Sequence, residues 1–161
     1  MPSTRINASY FLIIAIGVTV ALMALAGCGP EAAGVSPTST ANVVSVGSRI
    51  ETPDGAYTNL KPSELKQMLE NKSFFLVDVH TPHEGRLPKT DARVVFDQVE
   101  QNISTFPADK GAQIVVTCQT GSMSAEASKT LVRLGYTNVY NLDGGMVAWK
   151  AAGYELIPED R

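Results

Sequence analysis

Residues 113–124 read Gln113-Ile114-Val115-Val116-Thr117-Cys118-Gln119-Thr120-Gly121-Ser122-Met123-Ser124. Residues 113–117 form a short, nearly continuous apolar run, the pattern of a strand covered on both faces. A tight Gly/Ser/Thr loop follows. From Ser124 to Leu134, Ala127, Leu131 and Leu134 recur at helical spacing, and Gly135 closes the segment. Strand, tight loop, helix: this unit sets the grammar of the domain.

The same grammar extends in both directions. Upstream, residues 62–71 (PSELKQMLEN) carry Pro62 at a first-turn position and Leu65, Met68 and Leu69 on one helical face. Residues 74–79 (FFLVDV) predict a second buried strand, and residues 97–105 a helix with Val99 and Ile103 on one side. Downstream, residues 138–142 predict a strand, after which Gly144-Gly145 opens a short helix over residues 146–152, ended by Gly153. Strands alternating with helices imply an α/β fold: a parallel β-sheet flanked by helices on both faces. In such sheets ligands bind beyond the carboxyl ends of the strands, where Cys118 sits.

Composition narrows the function classes. With 161 residues the chain has room for one ordinary domain. Lys and Arg total 13 against 16 Asp and Glu, a formal charge of -3, so no electrostatic footprint for nucleic acid exists. Cys28 and Cys118 are the only cysteines, too few for a disulfide scaffold or a thiolate-only metal site.

The N-terminus reads as an address. After a polar start containing Arg5, residues 11–27 (FLIIAIGVTVALMALAG) are apolar except for Thr19 and end at Leu25-Ala26-Gly27-Cys28. This resembles a bacterial lipoprotein signal peptide over residues 1–27, with its lipobox. The resemblance implies cleavage before Cys28, acylation of its sulfur, and a domain facing the periplasm or cell exterior on a membrane lipid anchor. An uncleaved transmembrane anchor is the alternative, and small residues before the cysteine favour cleavage. Residues 28–56, rich in Gly, Pro, Ser, Thr and Ala, read as a flexible tether, with Val43, Val44 and Val46 as a weak strand candidate.

The chemistry points to Cys118. A loop of this kind turns several backbone N–H groups inward, backed by the positive end of the helix dipole, and such donors favour thiolate over thiol. Thr120, Ser122 and Ser124 offer hydroxyl donors, and Gly121 the backbone freedom such a cradle demands. The bland alternative is a buried small hydrophobe. Against it, a lipid-modified Cys28 leaves Cys118 without an internal partner in an oxidising compartment.

Residues 57–156 resemble the rhodanese family, which places the domain at 57–157. The resemblance rests on Leu76-Val77-Asp78-Val79 before His80 and Glu84, and on Gly85-Arg86-Leu87-Pro88. It continues through Ile114 to Cys118, Leu134-Gly135-Tyr136-Thr137-Asn138-Val139, and Leu142-Asp143-Gly144-Gly145-Met146-Val147-Ala148-Trp149. It implies a sulfurtransferase in which Cys118 attacks the outer sulfur of thiosulfate, sulfite leaves, and cyanide or a thiol collects the sulfur from the persulfide. Gln119, Thr120, Gly121, Ser122 and Met123 would form the substrate-binding loop, with Asp78 supporting it. No metal or organic cofactor is implied.

The departures are specific. Rhodanese loops of the closest pattern commonly carry arginines where this chain has Gln119 and Ser122, and a basic residue where it has His80. Arginine pairs with a sulfonate through charge-assisted bonds that Gln and Ser cannot make. The expectation is a persulfide-competent site with weak affinity for thiosulfate, or a different donor such as a persulfide. A non-catalytic sulfur-binding or sensing module is the alternative. A cysteine-dependent phosphatase or arsenate reductase would need an arginine near Met123, Ser124 or Ala125, and none is present. His80 and His83 read as a solvated loop rather than a metal pair, and Met146 and Trp149 as core.

Overall fold

The computed structural model describes residues 46–159, so Cys28, the signal segment, and Val43 and Val44 lie outside the described residues. A six-stranded sheet runs in the order β1-β2-β6-β5-β3-β4. Its strands are β1 (Ser48–Thr52), β2 (Gly55–Leu60), β3 (Phe75–Asp78), β4 (Ala92–Arg93), β5 (Ile114–Thr117) and β6 (Val139–Leu142). The helices are α1 (Pro62–Glu70), α2 (Ser122–Arg133) and α3 (Gly145–Ala151). β2, β6, β5, β3 and β4 pair in parallel, as the alternation of elements requires.

Period-two alternation divides the central strands between two cores. Val77, Ile114, Val116 and Val139 face one side, where Ala127, Leu131 and Val132 of α2 cover them. Leu76, Val115 and Leu142 face the other, against Leu65 and Leu69 of α1 and Met146 and Trp149 of α3. Both layers are shielded from solvent: Leu65, Leu76, Val116 and Leu131 are fully buried. Trp149 is core as expected, its indole N–H donating to the Glu155 carbonyl at 2.9 Å.

Three expectations are corrected. The sheet is mixed, because β1 pairs antiparallel with β2 through a two-residue Pro53-Asp54 turn, too short for a parallel crossover. Residues 48–56, read as the end of the tether, therefore belong to a hairpin. Only Ile50 of β1 packs against the core, too little apolar periodicity to mark a strand. Residues 97–105 form no α-helix. Two single 3-10 turns, Phe96–Gln98 and Ile103–Thr105, hold buried Val99 and partly buried Ile103 instead. The Asn102 backbone N–H makes one helix-type bond to the Gln98 carbonyl at 3.0 Å, but the Asn102 side-chain amide takes the same carbonyl at 2.9 Å, a local side-chain bond of the type that competes with a helix ladder.

Candidate active site

The carboxyl end of β5 delivers Cys118 into the tight turn that starts the twelve-residue helix α2. Gly121 takes φ +93°, a left-handed conformation that favours glycine. This bend brings two amide donors and one hydroxyl onto one sulfur. The Gly121 and Ser124 amides donate to Cys118 Sγ at 3.1 and 3.3 Å, and the Ser124 hydroxyl lies 3.2 Å away. Ser124 Oγ also donates to the Gly121 carbonyl at 3.1 Å. Either atom can donate in the Sγ–Oγ contact, and a protonated thiol can donate to Ser124 Oγ while that hydroxyl donates to Gly121. Once the sulfur is ionised, the hydroxyl can turn and donate to it instead. Two amides, one hydroxyl and the α2 N-terminus thus converge on the sulfur of a residue only 1% exposed.

The loop is held from behind by α3. The amides of Met146 and Val147 donate to the carbonyls of Cys118 and Gln119 at 2.9 and 3.0 Å. Binding these carbonyls to the first turn of α3 leaves the loop's N–H groups to face the sulfur. Gly145 makes the approach possible, since a Cβ there would lie 2.4 Å from the Cys118 carbonyl oxygen and 2.7 Å from the Gln119 carbonyl. A side chain would push the loop and the helix apart.

The other predicted loop residues separate from the sulfur. Thr120 and Ser122 are exposed and their hydroxyls pair with each other at 3.2 Å, so of the three hydroxyls considered only Ser124 reaches Cys118. Met123 lies in the first turn of α2, half-buried against the core. The Gln119 amide reaches Glu84 Oε2 at 3.3 Å. Glu84 comes from the connection after β3, 35 residues away in sequence, and its role at the loop was not visible in the sequence.

Asp78 is fully buried at the end of β3, in register with Thr117. Its Oδ1 accepts the His80 amide at 3.0 Å, while His83 Nδ1 and Arg93 Nε lie 3.9 and 4.0 Å from Oδ2. Burial pushes the Asp78 carboxyl above its ordinary range, against the opposing pull of the His80 amide, His83 and Arg93. Arg93 also pairs with both carboxylate oxygens of Glu159. His83 is exposed, as a solvated loop predicts, but His80 is buried at 7% exposure beside the strand end. Among the described residues no group of three His, Cys, Asp or Glu side chains converges to hold a metal ion.

Comparison with known proteins identifies the domain family. A family profile described as a rhodanese-like domain matches residues 61–152. Thiosulfate sulfurtransferase GlpE of Shewanella oneidensis is 32% identical over 99 residues, 60% of this chain and 96% of that protein. The GlpE of Pseudomonas fluorescens is 34% identical over 92 residues, 56% of this chain and 83% of that protein. Among solved structures, a rhodanese-like domain protein from Staphylococcus aureus superposes with a TM-score of 0.53 at 29% identity, covering 63% of this chain and 98% of that one.

Proposed function

The chain belongs to the rhodanese-like domain family, and from that premise we propose that it moves sulfane sulfur through a persulfide on Cys118. The observation that carries this reading is the convergence of the Gly121 amide, the Ser124 amide and the Ser124 hydroxyl on Cys118 Sγ. In the first half-reaction the thiolate attacks the outer sulfur of a donor, a new S–S bond forms, and the donor's own bond to that sulfur breaks, its electron pair leaving with sulfite or a thiolate. In the second, cyanide or a thiol attacks the outer persulfide sulfur and Cys118 departs as thiolate. The same three donors serve in both halves, because negative charge returns to Sγ at the end of the cycle.

Intact mass after incubation with thiosulfate or a small persulfide tests the reading directly. A gain of one sulfur, lost on adding cyanide and absent from Cys118→Ser, is the expected result. No gain with either donor would favour a second reading, a rhodanese-like binding module in which the thiol only packs. The 1% exposure of Cys118 and the absence of a loop arginine are the observations that favour this alternative.

We assign the domain to the outside of the cytoplasm, tethered through lipid on Cys28. Sequence alone supports this, through the apolar residues 11–27 and Leu25-Ala26-Gly27-Cys28. Cys28→Ser should leave an unprocessed chain of altered membrane partition and mass. Unchanged processing and mass would show the assignment to be wrong.

A further inference from the structure

The charge at the rim of the cradle is opposite to what an anionic donor needs. Gln119 follows the nucleophile directly, and its side-chain amide holds Glu84 Oε2 at 3.3 Å. Glu84 is exposed, and no Lys, Arg or His pairs with it among the ion pairs of the described residues. Two cations of the neighbouring segments face other carboxylates: His83 and Arg93 lie within 3.9 and 4.0 Å of Asp78, and Arg93 pairs with Glu159. The exposed Val147, whose amide binds the Gln119 carbonyl, adds apolar surface on the α3 side of the loop.

We propose that Glu84, held at the loop by Gln119, determines which sulfur donor the site accepts, disfavouring dianions such as thiosulfate and favouring persulfides that carry little charge. The inference rests on the sulfur-transfer reading above. Charge counting makes the selectivity concrete. With thiosulfate, the Cys118 thiolate and a dianion must meet beside the Glu84 carboxylate, and the products are a persulfide anion and sulfite dianion. A persulfide brings at most one negative charge, and none in its protonated form R–S–SH. The Cys118 S–S bond forms, the R–S bond to the outer sulfur breaks, R–S⁻ takes the electron pair, and the proton stays on the transferred sulfur. Glu84 therefore raises the barrier more for the first donor than for the second. Gln119 offers only a neutral amide, so it orients the carboxylate without neutralising it.

The test compares donors on the detergent-solubilised full chain, with cyanide as acceptor. The ratio of kcat/KM for thiosulfate to that for hydroxyethyl persulfide is measured for wild type, Glu84→Gln and Glu84→Asp. Glu84→Gln should raise this ratio about tenfold, roughly 1.4 kcal/mol. Glu84→Asp keeps the charge and should hold the ratio within about threefold of wild type. A second readout needs no variant. Raising ionic strength from about 0.01 to 0.1 M shortens the screening length from about 30 to 10 Å. The wild-type thiosulfate rate should then rise several-fold, and that of Glu84→Gln by less, since only the thiolate still repels the dianion. An unchanged ratio in Glu84→Gln, or an equal rise in both variants, overturns the charge argument while leaving sulfur transfer intact. Failure of both donors to load Cys118 in wild type removes the sulfur-transfer reading itself, and this inference with it.

Discussion

The amide of Met146 donates to the carbonyl of Cys118 at 2.9 Å, so the nucleophile's own backbone is fastened to the first turn of α3. The Gly144-Gly145 pair thus has a mechanical reason. Gly121 and Gly144 also meet closely, a Cβ on Gly121 falling 3.0 Å from the Gly144 nitrogen. The cradle is built from two chain segments, and α3 orients the loop that α2 begins.

Gly145→Ala should therefore damage both stability and site. Its added Cβ meets backbone at 2.4 Å, and its φ of +58° is unfavourable for alanine. Forced backbone movement plus left-handed strain should cost about 2–4 kcal/mol. Thermal unfolding should fall by roughly 10 °C or more for a domain of this size, and sulfur loading should drop in the protein that remains folded. An unchanged melting temperature would show that loop and helix are not in fact rigidly coupled.

Ser124→Ala removes the hydroxyl 3.2 Å from Cys118 Sγ and leaves the two amides in place. A hydrogen bond to a charged group contributes about 1.5–3 kcal/mol. Alkylation of Cys118 by iodoacetamide at neutral pH should slow by about tenfold, and Ser124→Thr should recover most of the rate. Equal rates in wild type and Ser124→Ala would confine the work of the cradle to its backbone.

Gln119→Arg and Ser122→Arg should each improve the use of thiosulfate, but by different routes. The first places a guanidinium where the amide now contacts Glu84, so its gain should overlap with that of Glu84→Gln rather than add to it. Ser122 is exposed and bonds only Thr120, so a cation there is free to meet the donor. Each single change should be worth about tenfold in kcat/KM. Full additivity of Gln119→Arg with Glu84→Gln would contradict the pairing.

Asp78 makes stability depend on pH in an unusual direction. Burial raises its folded-state value above that of the unfolded chain, so the native state binds more protons between the two. Below the ordinary carboxylate value of about 4, both states are protonated and burial carries no ionic cost. As pH rises toward and through the raised value, Asp78 loses stability for the fold. Asp78→Asn has no such loss. Urea unfolding over a pH series should show the variant gaining on wild type as pH increases through this window. A difference that stays flat with pH would rule out Asp78 as the source.

Local pattern made much of the domain legible. Apolar runs mark β3, β5 and β6, helical spacing with Pro62 and Gly135 bounds α1 and α2, and the Gly/Ser/Thr loop after Thr117 singles out Cys118. Each of these signals sits within a dozen residues, because strand and helix periodicity and turn chemistry are local properties. β1 escaped for the same reason: its pairing with β2 and one packed residue, Ile50, hold it in place, not its own sequence. The segment around Asn102 carries helical spacing at Val99 and Ile103, yet it forms two separate 3-10 turns, with the Asn102 side chain bonded to the Gln98 carbonyl between them.

The chain alone determines that a cysteine ends a buried strand and enters a helix through a glycine-containing loop. Only the tertiary structure decides what that cysteine meets. Glu84 reaches Gln119 across 35 residues, Met146 reaches the Cys118 carbonyl across the β6 crossover, and His80 and Asp78 are buried by packing rather than by composition. Such contacts follow from how parallel strands bring their carboxyl ends together, and a hydrogen bond between distant residues leaves no periodic trace in either segment that makes it.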